Sequence, residues 1–231
     1  MRKKSIGILG GMGPEATADI YLKIIKIFQK KYGAVFDKDY PPVIIYSLPI
    51  PDVVKEIENK DLAKCMVLDA VKKLESCGAD FIILACNTIN VFLSDIEKSV
   101  SIQIVNTAKE TGAAIKNRYK TVGLLSTTAT SEFDIFDQEF EGLGIKIIKP
   151  DADSQKILTD VILNILGGKK SEGDKKRVGN IIKKLSSSGA EAVVLGCTDL
   201  PLLIDTQYIE DIEIIDTNNI LAEAAVKKSM N

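Results

Sequence analysis

The sequence predicts an α/β fold of two pseudo-symmetric lobes, each a small parallel sheet flanked by helices, with a candidate active site in the cleft between them. Three observations predict it. Two stretches, VKKLESCGADFIILACNT (71–88) and IKKLSSSGAEAVVLGCTD (182–199), repeat one pattern of helix end, glycine turn, buried strand and cysteine. A second pair, IGILGGMG (6–13) and VGLLSTTA (122–129), repeats strand, small-residue turn and helix start. Short apolar runs alternate along the chain with longer segments of helical period, the mark of parallel strands joined by right-handed crossovers.

Eight runs read as strands: 5–10, 43–48, 80–85 and 102–106 in the first half, then 121–126, 145–149, 192–196 and 212–216. They are continuously apolar rather than alternating, as strands covered on both faces are. The first long helix opens at Pro14, a residue suited to a first helical position, and runs to Lys31. The next spans Asp61–Cys77, with Leu62, Met66, Val67, Ala70, Val71 and Leu74 on one face and Gly78 ending it. Cys65 and Cys77 lie near that face and read as core packing. The run GGKKSEGDKKR (167–177) reads as a solvated helix connection. A final helix, Thr217–Met230, finds no counterpart within a lobe and is expected to pack back on the first. The lobes are therefore drawn as 1–105 plus 208–231, and 106–207.

Composition excludes several classes. A net charge of −2 offers no footprint for nucleic acid. The basic start, MRKKSIGILGG, has too short an apolar run for a signal core, and no stretch approaches a membrane span. Four cysteines without CxxC spacing indicate neither zinc nor a disulfide framework, so reduced thiols and a cytoplasmic setting are expected. No metal is expected.

Cys86 and Cys197 occupy equivalent strand ends, where open α/β sheets present their chemistry. The chain has no histidine, so neither thiol can belong to a Cys–His pair. Two thiols facing one small molecule share a proton, because the first negative charge disfavours the second. One thiolate and one thiol is the state that proton exchange at both faces of a carbon requires. Helix starts after both cysteines should lower their pKa values.

The turn GGMGPEAT (10–17) formally fits the G-x-G-x-x-A dinucleotide pattern, but the second strand ends in Pro49-Ile50-Pro51 instead of an acid. A small-anion site at Gly11 and Met12 is the alternative, and a plain strand–helix turn is another. Ser126, Thr127, Thr128 and Thr130 offer hydroxyls at the matching place in the second lobe, for carboxylate binding or for helix capping.

GILGGMGPEAT, ACNT, GLLSTTAT and LGCTD together resemble the aspartate/glutamate racemase superfamily, in its aspartate racemase branch. The resemblance implies a dimeric amino-acid racemase, an aspartate racemase interconverting L- and D-aspartate, that needs no pyridoxal phosphate or other cofactor. Cys86 and Cys197 would be its acid/base pair, with Asn87, Thr88, Thr127, Thr130 and Thr198 contacting the substrate. The motif departs from the branch at Val53, where an Arg is usual, at Asn90 for His, and at Asp199 for Glu. Gly167 aligns with a position that is Lys in some members, so Lys169 and Lys170 become the candidate carboxylate partners. An isomerase or decarboxylase of another small dicarboxylate, or a non-catalytic dicarboxylate-binding protein, are the competing readings.

Overall fold

The computed structural model describes residues 3–231; Met1 and Arg2, at the start of the basic N-terminal run, lie outside the described residues. The first half contains β1 (Ile6–Gly10), α1 (Pro14–Tyr32), β2 (Val43–Ser47), α2 (Lys60–Ser76), β3 (Phe81–Leu84), α3 (Leu93–Ser99) and β4 (Gln103–Val105). The chain continues through α4 (Thr107–Ile115), β5 (Thr121–Leu125), α5 (Thr128–Glu132), α6 (Asp137–Glu141), β6 (Lys146–Ile148), α7 (Ala152–Leu166) and α8 (Glu172–Ser187). It ends with β7 (Ala192–Leu195), β8 (Tyr208–Ile209), β9 (Ile212–Asp216) and α9 (Thr217–Ser229).

The strands form two sheets, ordered β2-β1-β3-β4 and β6-β5-β7-β9-β8. All neighbours are parallel except β8, which runs antiparallel to β9. The first four strands of each sheet follow the same order, so the repeat in sequence is a repeat in topology. Both sheets are covered on both faces, which is why their strands read as unbroken apolar runs. In the first, Ile6, Ile8, Phe81 and Ile83 pack toward α1 and α9, while Leu9, Ile82 and Leu84 pack toward α2 and α3. In the second, Val122, Leu124, Ala192 and Val194 meet α4 and α6, and Leu125, Val193 and Leu195 meet α7 and α8. Each such side chain, fully buried, contributes about 1.5–3 kcal/mol.

Residues 208–216 correct the expected lobe assignment. They were placed with the first lobe, yet β9 pairs with β7 in the second sheet, and β8 with β9. The edge of β7 needs a partner, and Ile214 and Ile215 become buried by supplying it. The last helix also has the counterpart the sequence did not reveal. α4 follows the last strand of the first sheet and α9 follows β9, each capped by an acid or amide side chain, Asn106 and Asp216. The two helices exchange places. Ala108 and Ile115 of α4 pack in the core of the second sheet, and Leu221 and Ala225 of α9 pack in that of the first.

Three other expectations need correction. Leu62 is 46% exposed, and the buried face of α2 is Ala63, Val67, Ala70, Val71 and Leu74. Cys65 and Cys77 are both exposed. At 100° per residue, Cys65 lies two steps from both Ala63 and Val67 and so faces away from the core. Cys77 caps the helix end beyond the apolar stripe.

Candidate active site

Both cysteine turns open from strand ends that have run out of sheet partners. The N–H of Ala85 still donates to Leu9 O at 2.8 Å, and that of Gly196 to Leu125 O at 2.7 Å, the matching bond in the other lobe. Cys86 and Cys197 come next, followed by short 3-10 turns, Thr88–Phe92 and Leu200–Leu202. The glycines that launch the two strands, Gly78 and Gly189, both adopt left-handed φ values, 91° and 98°. A side chain there would be strained, which explains why this position repeats as glycine.

The two thiols line one cavity of about 160 Å³ between the lobes. Each is only 4% exposed. Burial was not part of the expectation for their acidity, and it dominates. It pushes the Cys86 thiol up to about 11, against the pull of backbone N–H groups at Ile89 and Thr88. It pushes Cys197 well above the ordinary thiol value, helped by the Asp199 carboxylate and opposed by the N–H groups of Asp199 and Leu200. The donors sit two and three residues after each sulfur, so the turns act as anticipated in direction but lose to desolvation. Asp199 is itself buried, and burial raises its carboxyl to about 6. Its Oδ2 lies 3.8 Å from the Cys197 sulfur, and its Oδ1 has no partner within the protein.

The lobes are joined around the thiols. Asn87 donates from Nδ2 to Gly196 O at 2.9 Å, and Asn218 donates to Thr198 O at 2.8 Å. Thr88 meets Thr127 at 3.1 Å and Thr130 at 2.9 Å, closing a triangle of hydroxyls with the 2.8 Å Thr127–Thr130 bond. Thr127 also caps α5 through the Thr130 N–H. Capping and cavity lining therefore coexist at Thr127.

Of the residues singled out in the sequence, Gly11, Met12, Asn87, Thr88, Thr127 and Thr198 line the cavity with the two cysteines. Thr130 supports Thr88 and Thr127 from behind. Thr128 belongs elsewhere: as the first residue of α5 it pairs with Thr159 of α7 at 3.1 Å. The N–H of Gly11 donates to Thr17 Oγ1 at 2.9 Å, so that donor is already taken rather than free for an anion. Lys169 and Lys170 are exposed and do not line the cavity. Lys170 forms an ion pair with Glu15, at the start of α1.

Several lining residues were not anticipated. Asp199 had drawn notice only as a departure from a motif. Ile50, Val54 and Leu166 had not been singled out, and Val53 only for what it replaces. The segment after β2 crosses to the other lobe, where Val54 joins the second-lobe core and its carbonyl accepts from the Ala129 N–H at 3.3 Å. The Pro49-Ile50-Pro51 and Val53-Val54 pattern, apolar in an otherwise polar connection, was the available signal.

Two parallel-sheet lobes of the same strand order thus bring one buried thiol each to a shared cavity. The chain belongs to the Asp/Glu/hydantoin racemase family, whose model matches residues 9–225. It is an enzyme of the isomerase class. It is similar to the broad specificity amino-acid racemase RacX of Bacillus subtilis, with 32% identity over 221 residues that cover 96% of each chain. An aspartate racemase homologue from Pyrococcus horikoshii superposes with a TM-score of 0.81 at 30% identity, covering 99% of this chain and 100% of that one. The Picrophilus torridus aspartate racemase gives 0.84 at 27% identity, covering 98% and 94%. No helix among the described residues is long and apolar enough to cross a membrane.

Proposed function

We propose that the protein is a cofactor-independent amino-acid racemase in which Cys86 and Cys197 act on opposite faces of one α-carbon. The observation that carries this reading is the pair of buried thiols at equivalent steps of a duplicated motif, lining one cavity. In the reaction, the thiolate of one cysteine takes the α-proton as the C–H bond breaks. The electron pair passes into the substrate carboxylate, where the hydroxyls of Thr88 and Thr127 and nearby backbone N–H groups stabilise it. The other thiol then delivers its proton to the opposite face. The enzyme ends with thiol and thiolate exchanged, and reversal returns it.

Burial raises both thiols and favours their protonated forms, so substrate binding must supply what ionises one of them. An α-ammonium does this, since a positive charge nearby favours a thiolate. Asn87 Oδ1 and Asp199 Oδ1, buried acceptors without protein partners, are suited to hold that ammonium. Similarity to a broad specificity amino-acid racemase and to an aspartate racemase supports an amino-acid substrate. The readings as a dicarboxylate isomerase, decarboxylase or binding protein are less well supported. They call for a cation facing the second carboxylate, and no Lys or Arg among the described residues lines the cavity. A homodimer working in the cytoplasm completes the proposal, and sedimentation of the purified protein checks the oligomer.

The test is the fate of solvent deuterium. Early product from either enantiomer should carry deuterium while recovered substrate keeps mostly protium, because the abstracting and delivering groups differ. Heavy early labelling of recovered substrate would indicate a single base and overturn the mechanism.

A further inference from the structure

We infer that the substrate's side chain is uncharged and aliphatic, of alanine to leucine or methionine size, rather than acidic. The inference rests on the racemase reading and concerns its specificity. The cavity is divided in chemistry. Its polar wall is Asn87, Thr88, Thr127, Thr198 and Asp199, the groups available to an α-carboxylate and an α-ammonium. Its other wall is Met12, Ile50, Val53, Val54 and Leu166. Val53 and Val54 are buried, at 7% and 5% exposure, so the middle of this wall is packed apolar surface, with Met12 and Ile50 half-buried beside it.

The charges at the cavity are both carboxylates. Asp199 lies within it, and Asp52 stands exposed at its edge, held by the Val54 N–H at 3.1 Å. Among the described residues no lysine or arginine joins them. Lys170, a cation whose charge acts on Asp199, is already paired with Glu15. Lys169 is exposed, and its backbone N–H donates to Asn164 O in the turn that ends α7. A second carboxylate on the substrate would therefore lie against apolar side chains with the Asp52 carboxylate at their edge and no lining cation to pair with. An aliphatic side chain meets the same wall at a gain, because it removes apolar surface from water.

Exchange of the α-proton in deuterated water, followed by NMR, reads this directly across alanine, leucine, methionine, aspartate, glutamate and lysine. The expected result is exchange of leucine or methionine with a kcat/KM at least about a hundredfold above that of aspartate. A second arm uses Leu166→Lys, at a wall position that is 40% exposed and so tolerates a charge. That variant should narrow the gap by raising aspartate exchange and lowering leucine exchange. Aspartate or glutamate exchanging as well as leucine in the unmodified protein would overturn the inference and leave the racemase reading standing. A clear preference for lysine would overturn it in favour of a cationic side chain reaching Asp52. Failure of all six to exchange would overturn the racemase reading itself.

Discussion

Asn87, the residue after Cys86, donates from Nδ2 to the carbonyl of Gly196, the residue before Cys197, at 2.9 Å. One side chain thus ties together the two turns that carry the thiols, across 109 residues of sequence. The remaining acceptor of the same amide, Oδ1, is buried and unpartnered. On the proposed mechanism, a single residue would set the spacing of the thiols and also offer a ligand to the substrate.

Replacing Asn87 by alanine leaves the Gly196 carbonyl unpaired and should cost about 1–3 kcal/mol of stability. Turnover should fall at least tenfold in both directions, because sulfurs that are loosely spaced are out of line for proton transfer. Thermal melts together with kcat for each enantiomer check both effects. Wild-type kcat in a destabilised variant would show that spacing does not depend on this bond.

Alanine at Cys86 or Cys197 should abolish racemisation in both directions, with losses of about 10²–10⁴-fold as expected for a general acid–base group. Each thiol is the base for one enantiomer and the acid for the other. Cys65→Ala and Cys77→Ala should leave both activity and stability nearly unchanged, within about 0.5 kcal/mol, since both residues are exposed. Racemase assays and melting curves on the four variants separate the pairs.

Asp199 makes stability depend on pH. Its carboxyl is raised from 3.8 to about 6 by burial, so its contribution is fully present below pH 3.8 and is lost as pH rises through 6. At 1.36 kcal/mol per unit, the loss above pH 6 is about 1–3 kcal/mol. Asp199→Asn removes the ionisation. Relative to the unmodified protein it should gain several degrees in Tm between pH 4 and pH 7.5. A Tm difference that does not change with pH would exclude the effect.

Gly11→Ala should be severely disruptive. Gly11 has φ of 94°, and a Cβ there would lie 2.4 Å from the backbone nitrogen of Leu48. Neither the backbone conformation nor the neighbouring strand end can yield cheaply. Loss of soluble folded protein, or a Tm lowered by many degrees, is the expected outcome in circular dichroism.

The parallel strands were legible in sequence because burial on both faces leaves each one as an unbroken apolar run. β8 was missed because two residues, Tyr208 and Ile209, make no pattern. The thiols were legible because duplication set Cys86 and Cys197 in register, and their flanking Asn87, Thr88 and Thr198 followed. What stayed hidden was set by tertiary contact. Val53 and Val54 sit in a connection, and nothing local shows that the connection crosses to the other lobe. Lys169 and Lys170 follow a helix end whose direction decides whether they face the cleft or the solvent. Asp199 reads as an ordinary turn residue until the Gly13 turn of the first lobe packs against it and burial raises its pKa. The fourth strand of the second sheet was recognised as a strand, but its sheet was misassigned because the long excursion between Leu195 and Ile212 hides its kinship with β4.

The exchange of α4 and α9 has a consequence for the origin and assembly of the chain. A half-length polypeptide that ran through four strands and one such helix would leave its own sheet covered by α1 alone where Ile6, Ile8, Phe81 and Ile83 lie, without the apolar residues that α9 supplies. Its helix would reach a second copy, and the second copy's helix would return the cover, a reciprocal arm exchange in a two-fold homodimer. The present chain encloses that arrangement in one polypeptide. Severing it between β4 and α4 should therefore yield fragments that are insoluble apart and recover a folded particle when mixed.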